Sequence, residues 1–321
     1  MQRLAIIGLG AWGRRLVEAV QGISSTVKFT AAVVRRPEVA ESAGEKYGLA
    51  ISTDLASVLS DPAIDGVVSC GPAHLHASHS LAALEAGKPV LAVKPMALSR
   101  ADADKLLEAS RRTGTLLALG YNRCYFPNVM EMRRRLSHGA LGTLVHAEGN
   151  FCVDRYRGIK EGSWKADPLH APAGGLADHM LYLTIETLGH LAEAQAIGFT
   201  HHSNNALADV TAVMLRSQRR QTALLTAIGV TPDYYRFQIF GTEGWIELRD
   251  DTQLTYQPRN GTAEVVTFEP IDAERAELEG FADAIARRLP FPVSAEDAAH
   301  GVAALEAIAT AARENRPVTI A

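Results

Sequence analysis

The first third of the chain alternates between two hydrophobic periods. Continuous apolar runs of strand length lie at Leu4–Ile7, Phe29–Val34, Gly66–Cys70, Val90–Val93 and Thr115–Leu119. Helical spacing fills the gaps at Trp12–Val20, Pro37–Tyr47, His74–Ala86 and Ser99–Arg112, and Ser99 with Asp102 gives the signature of a capped helix start. A run that is apolar at every position suits a strand covered on both faces, as parallel strands between helix layers are. The pattern predicts a βαβ series whose parallel sheet takes its ligand at the carboxyl ends of the strands.

The text changes near Asn122. "FPNVMEMRRRLSHGALG" has helical spacing that ends at glycine, and "TLVHAEGNF" alternates like a half-covered strand. "LADVTAVMLRS" with "QTALLTAIGV", and "YRFQIFG" with "GWIELRD", have the lengths and turns of antiparallel partners. Helical periodicity returns over residues 294–314, which are expected to pack back on the first domain. The expectation is an α/β chain with a Rossmann-like parallel-sheet domain over 1–121 and an α+β domain over 122–321.

The first apolar run leads straight into "GLGAWG", placing Gly8, Gly10 and Gly13 at GxGxxG spacing between a strand and a helix. There Gly8 permits a tight turn, Gly10 lets the backbone approach a pyrophosphate, and Gly13 lets helix and strand pack closely. Ala11 and Trp12 open the helix, whose N-terminus offers N–H groups and a positive dipole end to phosphates. Roughly 20 residues further on, a cofactor with a free ribose 2′-hydroxyl usually meets an acid. "AAVVRRPEVA" has Arg35 and Arg36 instead, and guanidinium groups pair with a 2′-phosphate. NADP is the expected cofactor, with NAD as the alternative.

The 321 residues carry a net charge of -4, 47% hydrophobic residues and 21% charged residues. This leaves room for two cores and gives no basic surplus for nucleic acid or an anionic membrane. Cys70, Cys124 and Cys152 lie far apart without metal-ligand spacing, which suits buried thiols in a reducing compartment. The opening "MQRLAIIGLGAWGRR" is too short in apolar residues for a secretory leader, and no later run approaches a membrane span, so a cytoplasmic protein is expected. In "HLHASH", helical spacing spreads His74, His76 and His79 around the axis without a carboxylate set, so no metal site is expected.

The ordered set "GLGAWG", "IDGVVSCGPAHLHASHSLAALEAGKPVLAVKP", "GYNR", "SWKADP", "GGLADHMLY", "FQIFGTEGWIEL" and "ARENRPVTI" resembles the glucose–fructose oxidoreductase/inositol dehydrogenase (Gfo/Idh/MocA) family across essentially the whole chain. The resemblance implies NAD(P)-dependent hydride transfer to or from a sugar, polyol or related hydroxy/keto compound. It also implies an open antiparallel sheet in the second domain, with helices on one face and a homo-oligomer interface on the other.

The same resemblance assigns residues. Lys94 and Pro95 match the family's Glu-Lys-Pro motif, whose lysine points at the reacting carbon beside the nicotinamide; its usual glutamate is Val93 here. Gly71, Pro72 and His76 fall at the cofactor, and Asn122, Trp164 and Lys165 at the substrate. In "GGLADHMLY", Asp178 matches the family's Asp, and the acid/base position four residues on is Tyr182. A second helix register makes His179 the acid/base instead. The family's next acidic position falls on Ile185. A non-catalytic NAD(P)-binding regulator of the same fold is the competing reading, resting on Val93, Tyr182 and Ile185.

Overall fold

The computed structural model describes residues 1–159, 173–202, 208–287 and 291–321, which form two compact units. The first comprises Met1–Asn122 with Asp272–Ala299, and the second Arg123–Ile271 with His300–Ala321.

The first unit opens with β1 (Gln2–Ile7), α1 (Ala11–Val20), β2 (Val27–Val33), α2 (Glu41–Tyr47), β3 (Ala50–Ser52) and α3 (Leu55–Ser60). It continues with β4 (Gly66–Ser69), α4 (Ala73–Glu85), β5 (Val90–Val93), α5 (Arg100–Thr113) and β6 (Leu117–Gly120). The strands form one parallel sheet in the order β3-β2-β1-β4-β5-β6, so the chain reverses direction across the sheet between β1 and β4. Every residue of β4, β5 and β6 is buried, as their unbroken hydrophobicity requires. The Ser99 hydroxyl accepts from the Asp102 N–H at 3.1 Å and starts α5, which ends at a left-handed Gly114. The hydrophobic pattern did not separate β3 and α3. They span 3 and 6 residues, too few to show a period, and α3 is fixed by Asp54 accepting from Ala56 and Ser57.

The second unit begins with α6 (Pro127–Ser137), β7 (Leu144–Asp154), α7 (Asp178–Leu188) and β8 (Leu191–Phe199). It then runs through β9 (Val210–Ser217), β10 (Thr222–Ile228), β11 (Val230–Gly241), β12 (Gly244–Arg249), β13 (Gln253–Pro258) and β14 (Glu264–Thr267). Then come α8 (Ala273–Arg287), within the first unit, α9 (Ala295–Glu314) and β15 (Val318–Thr319). The nine-stranded sheet has the order β14-β13-β12-β11-β7-β10-β9-β8-β15. The two expected hairpins form, with Met214 opposite Leu224 and Ile239 opposite Ile246. The sheet is mixed rather than purely antiparallel, because β7 and β10 pair in parallel.

One face of this sheet carries the unit's core. α7 packs on β7 where Gly149 leaves room: a Cβ there would stand 2.6 Å from the Met180 sulfur. The other face is half polar. Arg236 donates to Asn150, Gln238 and Glu148, while Ile197, Phe199, Met214 and Leu224 stay exposed on β8, β9 and β10. Residues up to Ala299 in α9 belong to the first unit and those from His300 to the second, where β15 pairs with β8.

Candidate functional site

The turn after β1 shows each glycine in the role its position predicts. Gly8 has φ +103°, and a Cβ on it would stand 2.8 Å from the Gly71 nitrogen. A Cβ on Gly13 would stand 2.1 Å from the Gly8 carbonyl oxygen, which is how closely α1 packs on the turn. A Cβ on Gly10 meets nothing within 4 Å. The space over Gly10 is therefore open and faces the first turn of α1, which contains no acidic residue. This is a cradle for a pyrophosphate at a helix N-terminus, so the residues present fit a dinucleotide. Ala11 and Trp12 begin α1, with Trp12 exposed. Arg35 and Arg36 lie exposed just past the end of β2, and neither forms an ion pair with the described residues.

The loops after β4 and β5 are tied together by His76. Its ring is buried, with Nδ1 2.8 Å from the Pro95 carbonyl oxygen and Nε2 2.8 Å from that of Gly71. A neutral imidazole donates to one of these oxygens, and only the imidazolium donates to both. Burial lowers the pKa of His76, against the pull of the two carbonyls. The ring thus spends its polar atoms on the backbone beside Lys94. Lys94 and Pro95, half-buried, follow directly on β5, and Pro72 caps α4. Asn122 donates its side-chain amide to Glu274 at 3.3 Å.

In the second unit, Asp178 is the first residue of α7 and is buried, preceded by a π-helical turn over Ala173–Ala177. One helical turn on, Tyr182 is buried as well, whereas His179 is half-buried and lies against the Phe151 ring at 6.2 Å. Ile185 is a core residue. Trp164 and Lys165 lie outside the described residues.

The structure adds neighbours that the sequence reading passed over. Glu186, one turn beyond Tyr182, grips Arg133 of α6 through two contacts of 2.8 and 3.1 Å. Burial opposes the Arg133 charge, but Cys124, Glu186 and Tyr182 sustain it, and its pKa is raised. Arg123, inside the quoted "GYNR", lies 4.5 Å over both the Phe151 and Tyr235 rings. Burial is the largest cause of the Tyr235 phenol's rise to about 12. A helical period shows neither a guanidinium partner on another helix nor a ring on another strand. A cavity of about 600 Å³ elsewhere in this unit, lined by Thr143, Thr187, Arg219, Arg220 and Gln221, touches none of the expected site residues. Among the described residues no three His, Cys, Asp or Glu side chains are grouped to hold a metal ion, and no helix is long and apolar enough to cross a membrane.

The model of the Gfo/Idh/MocA oxidoreductase family, NAD-binding Rossmann fold, matches residues 2–121, and that of the Gfo/Idh/MocA C-terminal domain matches residues 129–247. The chain belongs to this family. Inositol 2-dehydrogenase 1 of Saccharopolyspora erythraea is 28% identical, with 99% of this chain and 96% of that protein covered. The 4-carboxy-2-hydroxymuconate-6-semialdehyde dehydrogenase of a Sphingobium strain is 26% identical over 78% of this chain and 80% of its own. The solved structure of a levoglucosan dehydrogenase in complex with NADH and levoglucosan superimposes with a TM-score of 0.89 at 20% identity, covering 100% of this chain and 99% of that one. The Gfo/Idh/MocA fold thus spans both units, and the chain is an oxidoreductase with an NAD(P)-binding Rossmann domain.

Proposed function

We propose that this Gfo/Idh/MocA protein is an NADP-dependent dehydrogenase or reductase of a sugar, polyol or related hydroxy/keto compound. The observation that carries the reading is the dinucleotide cradle at Gly8, Gly10 and Gly13 within the sheet that also presents Lys94 at the end of β5. The polyol class rests on relatives named for inositol and levoglucosan. The preference for NADP rests on Arg35 and Arg36 alone, since relatives named for NAD and for NADP both occur.

When bound, the nicotinamide supplies the hydride acceptor or donor. Lys94 binds and polarises the substrate oxygen, and the acid/base that moves the substrate proton is Tyr182 or His179. Asp178 orients the acid/base and binds substrate hydroxyls, while Gly71, Pro72 and Pro95 shape the cofactor wall. The three cysteines are buried and form no disulfide, consistent with work in a reducing cytoplasm. Self-association through the sheet face bearing Ile197, Phe199, Met214 and Leu224 would cover that apolar surface.

The test is a panel of polyols, sugars and their keto forms with NADP and NAD, followed by the absorbance of reduced cofactor. Turnover with NADP on a polyol is expected. Cofactor binding without turnover across a broad panel would replace the enzyme reading by that of a cofactor-binding regulator.

A further inference from the structure

One buried acid of the first unit has no part in the reading above. Glu277 lies on α8, which packs on α1, β1 and β2, and its side chain is buried. Its Oε2 stands 3.5 Å from where a Gly120 Cβ would be, and that point is 3.0 Å from the Val93 Cα. Near it, just beyond β4, is Cys70, whose thiol is pushed up to about 12 chiefly by burial, with Glu277 as the lesser cause. The carboxyl therefore sits at the carboxyl ends of β4, β5 and β6. Its Oε1 is buried without a hydrogen-bond partner among the described residues. An ionised carboxylate left so is among the costliest groups to bury, and its neighbours do not offset the cost. Glu274 on the same helix adds like charge, though it is held by Arg15 of α1 and by Asn122. Gly120 carries no charge, and Lys94 is the first cation after β5. Burial first, and Glu274 second, raise the pKa of Glu277 well above the carboxylate range.

The glycine cradle lies after β1 and the arginines after β2, so a dinucleotide lying across the sheet carries its nicotinamide half toward β4 and β5. That half is the part whose charge changes, from a cationic ring when oxidised to a neutral one when reduced. We propose that Glu277 is the counter-charge to this change. It is a neutral acid in the free protein and beside the reduced ring, and it ionises, releasing its proton to solvent, when the oxidised ring binds. In alcohol oxidation the substrate gives up a hydride to the ring and a proton to the acid/base, and the Glu277 carboxylate takes a proton back as the ring's charge disappears. The inference rests on the proposed function in needing a nicotinamide cofactor.

Titration calorimetry of the whole protein in two buffers of different ionisation enthalpy gives the number of protons released on binding. Oxidised cofactor should release more protons than reduced cofactor, and Glu277→Gln, an isostere of the neutral acid, should remove that excess. Between pH 6 and 8 the affinity for the oxidised relative to the reduced form should rise in the wild type, by at most about tenfold per pH unit for one linked proton. The ratio should be flatter in Glu277→Gln. Using the ratio cancels groups that respond equally to both forms, and any response of Lys94 to the ring's charge persists in the variant. In the wild type alone, the infrared band of a protonated carboxyl should weaken with oxidised but not reduced cofactor. That readout holds even if the variant fails to fold. Binding of both forms with the same proton release and pH response in wild type and Glu277→Gln would overturn the proposal while leaving the dehydrogenase reading intact, as would an unchanged infrared band. Failure of either cofactor form to bind would overturn both.

Discussion

The two units carry function in opposite ways. In the first, the expected residues sit at the carboxyl ends of short parallel strands, where backbone geometry itself makes the site: a glycine with φ +103°, a helix start without acids and a lysine directly after β5. In the second, Asp178, His179 and Tyr182 share two turns of one helix, and their environment comes from elsewhere: Arg133 of α6 acts on Tyr182, and Phe151 of β7, itself edge-on to Tyr235 of β11, lies against His179. A site made of backbone survives only what the backbone tolerates. A site made of side chains can exchange one acid/base for another, and the pairing of Tyr182 with His179 poses that choice.

The largest expected effect sharpens the second-unit side. Tyr182→Phe keeps the buried ring and removes its hydroxyl, so turnover should fall by ~10²–10⁴-fold if Tyr182 moves the proton. His179→Ala should then cost far less in turnover. The reverse order, read from single-turnover rates in the two variants, would transfer the role to His179.

Next in size is Lys94→Ala. Turnover should drop by at least about a hundredfold while NADPH binding, followed by fluorescence, stays near normal. Unchanged turnover would remove Lys94 from the chemistry.

A smaller pair probes the backbone site directly. Gly10→Ala adds a methyl where the protein has nothing within 4 Å, so the melting temperature of the free protein should hold while cofactor affinity falls about tenfold or more. Gly13→Ala drives a Cβ to 2.1 Å from the Gly8 carbonyl and should lower the melting temperature even without cofactor. Equal melting loss in both would mean that the turn is merely tight packing.

The smallest effect concerns the cofactor's second phosphate. One or two charge-assisted bonds from Arg35 and Arg36 should make NADPH bind at least about tenfold tighter than NADH. Arg35→Asp should abolish or invert that preference, because a carboxylate repels the phosphate and accepts from a free hydroxyl. Equal affinities in the wild type would end the NADP assignment without touching the fold.

By itself the sequence determined whatever depends on neighbours along the chain. The parallel-sheet unit was legible because strands covered on both faces must be apolar throughout, and because "GLGAWG" places three glycines where one turn needs them. The hairpins of β9 with β10 and β11 with β12 were legible because short turns join strands that pair locally. The tertiary structure decided what depends on distant partners. The parallel pairing of β7 with β10 joins segments separated by α7 and two strands, and no local period encodes it. His76 spends both ring nitrogens on the Gly71 and Pro95 carbonyls, which only the fold of two loops brings together. Glu277 is one acid among four within "ERAELE" and its flanking Asp272, and all four look alike as text. Packing α8 on the sheet sends one of them into the interior beside Gly120, where the low dielectric gives it a different chemistry from the rest.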